Sequence, residues 1–143
     1  MAGEGPRGRE DWSDAALEEA VAPVLSDVES SGSVIPDVRD EPWSAIAEQV
    51  TAMLYSADGS GQGISARPAD PLPERIASVA DQVQEWVVEE LCSIGRPTNW
   101  PQCPQHPESH PLTAVERMGR AVWACPMTAS VVSEIGQLTN PAG

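Results

Sequence analysis

Apolar positions recur at helical spacing in three stretches of the chain. Leu17, Val21, Val24 and Val28 fall on one stripe at about 100° per residue, with Glu18, Glu19 and Glu29 off it. This predicts a first helix, N-capped by Asp11 or Ser13. Pro23 is expected on its solvent side, where it can kink the helix without breaking the buried face. A second stripe, Trp43, Ile46, Ala47, Val50, Met53 and Leu54, follows Pro42, a residue suited to a first helical turn. It predicts a second helix ending at Asp58-Gly59. A third stripe, Ile76, Val79, Ala80, Val83, Val87, Leu91 and Ile94, has Trp86 at its edge. Pro71 and Pro73 mark its start and Gly95 its stop, so a third helix is expected over about 73–94. Residues 1–10 read as disordered, and 30–41 and 57–71 as linkers. Within the second linker, the run GSGQG superficially resembles a phosphate loop, but it lacks a lysine, a preceding strand and a following helix.

After Gly95 the period changes. Residues 112–115, a turn through Glu116 to Gly119, and residues 120–124 fit a hairpin, with a third strand from Val131-Val132 and residues 135–138. The fold class expected is therefore mostly α, about three amphipathic helices over 11–95, with a small zinc-ribbon-like β module over 96–139 and a tail at 140–143.

Composition makes this core thin. The chain has 7 Leu, 6 Ile, 14 Val and no Phe in 143 residues, so a metal or a partner is expected to help hold it. The formal charge is −14. All of it lies in residues 1–94, which hold 5 Arg and 19 acids, and the rest of the chain is neutral with 3 of each. Such a field repels nucleic acid and anionic lipid and favours a basic protein partner, or self-association. Solvated helix faces account for the same acids. Glu74, Asp81, Glu85 and Glu89 line one face of the third helix together with Cys92, whose thiolate that charge disfavours. The N-terminus lacks an apolar signal region, and three cysteines without one point to the cytoplasm and to metal or free thiols. Arginine without lysine, with abundant Ala and Pro, suggests a GC-rich bacterial genome.

Chemistry concentrates near the end. Cys103, His106, His110 and Cys125 form the pattern C-x2-H-x3-H-x14-C, and each is followed by proline. Four N/S donors in close pairs around a hairpin are what tetrahedral zinc takes, and proline stiffens each ligand-bearing turn. A closed set of four implies a structural zinc, whereas a catalytic one keeps a position open. The competing reading is ordinary loop histidines and buried free thiols. A Cys103–His106 nucleophile pair lacks an orienting third group.

The run WPQCPQHPESHPL…AVWACP…IGQL resembles a group of small uncharacterised actinobacterial proteins that share W-P-x-C-P-x-H-P…H-P-L…W-x-C-P after a helix. The resemblance spans roughly residues 74–138. It implies a zinc-ribbon-like tail and a bacterial cytoplasmic setting, and implies no activity. Where that pattern continues with Thr or Ser and then Gly, this chain reads Met127-Thr128-Ala129, which speaks against a glycine-type turn after Cys125.

The reading preferred from sequence is a non-enzymatic interaction protein with a structural zinc and no catalytic residues. A nucleic-acid-binding ribbon using Arg96, Arg117, Arg120, Trp100 and Trp123 is the second reading, and a small zinc or thiol enzyme the third.

Overall fold

A computed structural model describes residues 15–31, 34–41 and 49–138. It contains two helices and two three-stranded antiparallel sheets: α1 (Ala15–Ser31), β1 (Asp37–Arg39), β2 (Val50–Tyr55), β3 (Gly61–Ala66), α2 (Leu72–Ser93), β4 (Thr113–Arg117), β5 (Arg120–Ala124) and β6 (Val131–Glu134). The fold is mixed α/β, which corrects the mostly helical expectation of about three helices.

The correction is concentrated in residues 50–66. Val50, Met53 and Leu54 fit a helical stripe, yet Ala52 and Leu54 are buried while Thr51, Met53 and Tyr55 are partly exposed, the two-residue alternation of a strand. β3 pairs along the whole of β2, from Val50 opposite Ala66 to Tyr55 opposite Gly61. Asp58-Gly59 is therefore a hairpin turn rather than a helix stop. Gly59 takes φ +91°, and Asp58 Oδ1 accepts hydrogen bonds from the Ser60 amide and hydroxyl at 2.9 and 2.7 Å. The glycines of β3 serve the outer face. A Cβ at Gly61 would come within 2.8 Å of Met53 Cε and Tyr55 Cε1, so these side chains lie over the space that glycine leaves. The segments expected as linkers thus carry β1, in 30–41, and β3, in 57–71. The N-terminal ten residues, the caps Asp11 and Ser13, the stripe positions Trp43, Ile46 and Ala47, and the tail 140–143 lie outside the described residues.

α2 follows its sequence pattern, with Pro73 in the first turn and Gly95, at φ +73°, just beyond the cap residue Ile94. Its buried face is Ala77, Val79, Ala80, Val83, Trp86, Val87 and Leu91. Trp86 is core rather than edge, while Ile94 is 54% exposed. On α1 the buried face is Leu17, Ala20, Val21, Val24, Asp27 and Val28. Pro23 is half-buried, and Gly136 approaches it so closely that a Cβ there would lie 3.0 Å from Pro23 Cβ.

α2 packs against α1, against β3 of the first sheet and against β4 and β5 of the second. Side chains of both helices, both sheets and the 100–112 loop form one continuous core. The C-terminal residues are therefore built into the domain rather than appended to it. The β4–β5 connection is a two-residue turn with Met118 and Gly119 at φ +53° and +82°, the twist that joins antiparallel strands tightly. The third strand comes from residues 131–134; the Ile135 amide adds one bond to the Ala121 carbonyl of β5 at 2.9 Å, and residues 136–138 leave the sheet. Among the described residues, no helix is long and apolar enough to cross a membrane.

Candidate metal centre

Two turns bring the four sequence-predicted ligands together. Cys103 and His106 sit on the loop between α2 and β4, where the His106 amide donates to the Cys103 carbonyl at 3.1 Å. Pairing across Gln102 and Pro111 and a bond from the Leu112 amide to the Pro101 carbonyl, 2.7 Å, close the neck of this loop. Gln84 on α2 then clamps it. Its Nε2 donates to the carbonyls of Trp100 at 3.0 Å and Leu112 at 2.7 Å. These carbonyls have no ladder of their own, so one side-chain amide supplies what a strand would.

Cys125 follows β5 and opens the second turn. Its amide donates to the Ser130 carbonyl at 2.9 Å, and the Ala129 amide donates back to the Cys125 carbonyl at 2.8 Å. Ala129 takes φ +64°. A left-handed turn of the glycine type therefore forms after Cys125 despite the missing glycine, contrary to the expectation from Met127-Thr128-Ala129. The left-handed conformation costs an L-residue about 1–2 kcal/mol, and Ala129 is exposed. Ala129→Gly is expected to stabilise the protein by about 0.5–1 kcal/mol, once the greater freedom of unfolded glycine is set against the relieved strain. A rise in the urea midpoint would report it, and a fall would mean that the methyl group packs.

The donor atoms converge. One atom from each of Cys103, His106, His110 and Cys125 lies within 4.8 Å of every other, and the four residues can hold a metal ion. The Sγ atoms of Cys103 and Cys125 are each 3.6 Å from His106 Nδ1, and Cys125 Sγ is 3.9 Å from His110 Nε2. A tetrahedral zinc with bonds of about 2.3 Å to sulfur and about 2.0 Å to nitrogen sets such neighbours about 3.6 Å apart. Both cysteines are fully buried and both histidines half-buried.

Protonation matches this role. His110 Nδ1 donates to the Pro111 carbonyl at 3.1 Å, which leaves Nε2 bare and turned to the cluster. Burial pushes the Cys125 thiol up. Hydrogen bonds from the Thr128 hydroxyl, the Thr128 and Met127 amides and Cys103 outweigh it and hold the thiol at about 6. At neutral pH the thiolate, the form that metals bind, is favoured there.

The other sequence candidates lie elsewhere. Trp100 and Trp123 are buried and packed edge to face, with ring centroids 5.7 Å apart, so neither offers a face for base stacking. Arg117 donates to the Ala129 carbonyl at 2.6 Å, Arg120 pairs with Glu134 at 3.9 Å, and Arg96 is exposed just beyond α2. Cys92 is exposed on the acidic face of α2 and away from the cluster.

The stripe reading missed Asp27, whose carboxyl group is fully buried among apolar residues of α1. Oδ2 accepts from Trp123 Nε1 and from the Gly136 amide, both at 2.8 Å, and Oδ1 accepts from the Leu138 amide at 2.9 Å. Two serines extend the same attachment. Ser30 Oγ donates to the Leu138 carbonyl at 2.9 Å, and Ser31 Oγ accepts from Trp100 Nε1 at 2.7 Å. The C-terminal end of α1 thus holds both tryptophans that precede Cys103 and Cys125. An acid on the apolar face of α1, beside Val24 and Val28, is the sequence signal for it.

No family model, curated protein or solved structure matches this chain.

Proposed function

We propose that the chain is a non-enzymatic protein-interaction module whose fold is stapled by one structural zinc at Cys103, His106, His110 and Cys125. The observation that carries this reading is the set of sulfur–nitrogen separations, 3.6, 3.6 and 3.9 Å, close to the edges of a zinc tetrahedron. The donor set agrees with it. Two thiolates and two neutral imidazoles balance the charge of a divalent ion, and four protein ligands leave no position for a reacting water. The thin aliphatic content supplies the need, because a small core with few Leu and Ile and no Phe gains most from a staple.

Native mass spectrometry tests the reading. The wild type is expected to carry one zinc per chain and Cys103→Ser/Cys125→Ser none. A wild-type protein purified with zinc in the buffer and found metal-free would refute it. Turnover of a hydrolytic substrate that follows zinc content would move the chain to the class of metal enzymes.

A further inference from the structure

A groove of about 1010 Å³ runs beside the metal cluster, between the β2–β3 turn, the solvent side of α2 and the two ligand-bearing turns. Its apolar lining includes Val88 and Ile94 from α2 and Pro111 and Pro126 from the turns. Ile94, the cap residue of α2, is 54% exposed, although it closes the apolar stripe whose Val79, Val83, Val87 and Leu91 are buried. The same lining holds four carboxylates, Asp58, Glu85, Glu89 and Glu90, and no lysine or arginine. Among the described residues none of the four is in an ion pair. Glu85 and Glu89 stand one helical turn apart, where like charges repel mildly.

We infer that this groove receives a basic segment of a partner protein, in which arginine or lysine alternates with apolar side chains. Charge complementarity selects the occupant. Carboxylates without counter-charges attract a cationic chain and repel phosphate backbones and anionic lipid. The apolar strip between them offers burial that a bare polycation cannot use. The inference rests on the zinc reading in one respect. Pro111 and Pro126, which form one wall, directly follow the ligands His110 and Cys125, so a bound metal holds that wall in place. The groove is thereby the interaction surface of the stapled module.

Fluorescence anisotropy on the zinc-loaded full chain tests it, with a fluorescein-labelled peptide alternating arginine and leucine as the probe. Glu85→Gln/Glu89→Gln is compared with Glu29→Gln/Glu74→Gln, which removes the same charge from exposed positions outside the groove. Saturable binding is expected, weakened roughly three- to tenfold by the groove pair and less than about twofold by the other pair. An equal loss in both variants would reduce the effect to the field of the whole molecule and overturn the inference. So would equally tight binding of oligoarginine or spermine, which would leave the apolar strip without a role, or no saturable binding at low salt. Zinc counted in the same samples reports on the metal separately. A zinc-loaded wild type that ignores the peptide defeats the groove alone, whereas a metal-free protein defeats the staple.

Discussion

With zinc bound as proposed, its removal by a tight chelator is expected to unfold the whole chain, not only its C-terminal third. Cys103, Cys125, Trp100 and Trp123 belong to the same core as Val24 of α1 and Val83 of α2. The loop and turn that carry the ligands are mainly polar and Pro-rich, and without a metal two close thiols and two imidazoles replace a bonded centre. Structural zinc contributes about 10–16 kcal/mol of apparent binding free energy at neutral pH, against a net stability of roughly 5–15 kcal/mol for a domain of this size. At working zinc concentrations the staple contributes a smaller amount, set by the ratio of free zinc to Kd, that is still of the order of the net stability. Circular dichroism in the far ultraviolet and tryptophan fluorescence are expected to change in a single transition as chelator is added, and to recover together with added zinc. A helical signal that survives while fluorescence shifts would mean that α1 and α2 fold without the metal centre.

The second large effect is assigned to Asp27. Asp27→Ala leaves three donors without their acceptor, the buried Trp123 Nε1 and the half-buried amides of Gly136 and Leu138. A buried donor deprived of its partner costs about 1–3 kcal/mol. The three share one site and relax together, so a total of roughly 3–5 kcal/mol is expected rather than the full sum. Asp27→Asn retains one acceptor oxygen but turns an NH2 group toward a donor, and it should lose somewhat less. Urea unfolding of the zinc-loaded variants measures both. A loss below about 1 kcal/mol for Asp27→Ala would show that the apolar contacts of residues 135–138, not the carboxyl group, hold this segment to α1.

What could be read from the sequence, and what could not, follows from the range of the forces involved. α2 was legible because its stripe persists over six turns between Pro71 and Gly95. The convergence of Cys103, His106, His110 and Cys125 was legible because metal chemistry restricts both donor type and spacing. β2 was not. Over six residues Val50, Met53 and Leu54 satisfy a helical period as well as Ala52 and Leu54 satisfy a strand, and Asp58-Gly59 stops a helix or turns a hairpin equally well. The deciding partner, β3, is disguised by Gly61 and Gly63 on its outer face and by Gln62 on its inner one, which leave only Ile64 and Ala66 as apolar inward positions. Gln84 and Asp27 were beyond local reading for another reason. Their partners lie 16 to 111 positions away, and no helical period records a clamp on a distant loop. Ala129 shows the opposite case, where a local rule spoke against a turn that the hydrogen bonds around Cys125 impose.

The Asp27 attachment also bears on how the chain is made. Its carboxyl group meets amides 109 and 111 positions later, so α1 leaves the ribosome long before its buried face can close. At about 5–20 residues per second the delay amounts to roughly 5–20 seconds. Throughout it Leu17, Val21, Val24 and Val28 form an amphipathic helix face with part of its cover missing. Closure of the α1 face therefore waits until residues 136–138 have been made, and a nascent α1 has the profile of a segment that chaperones bind.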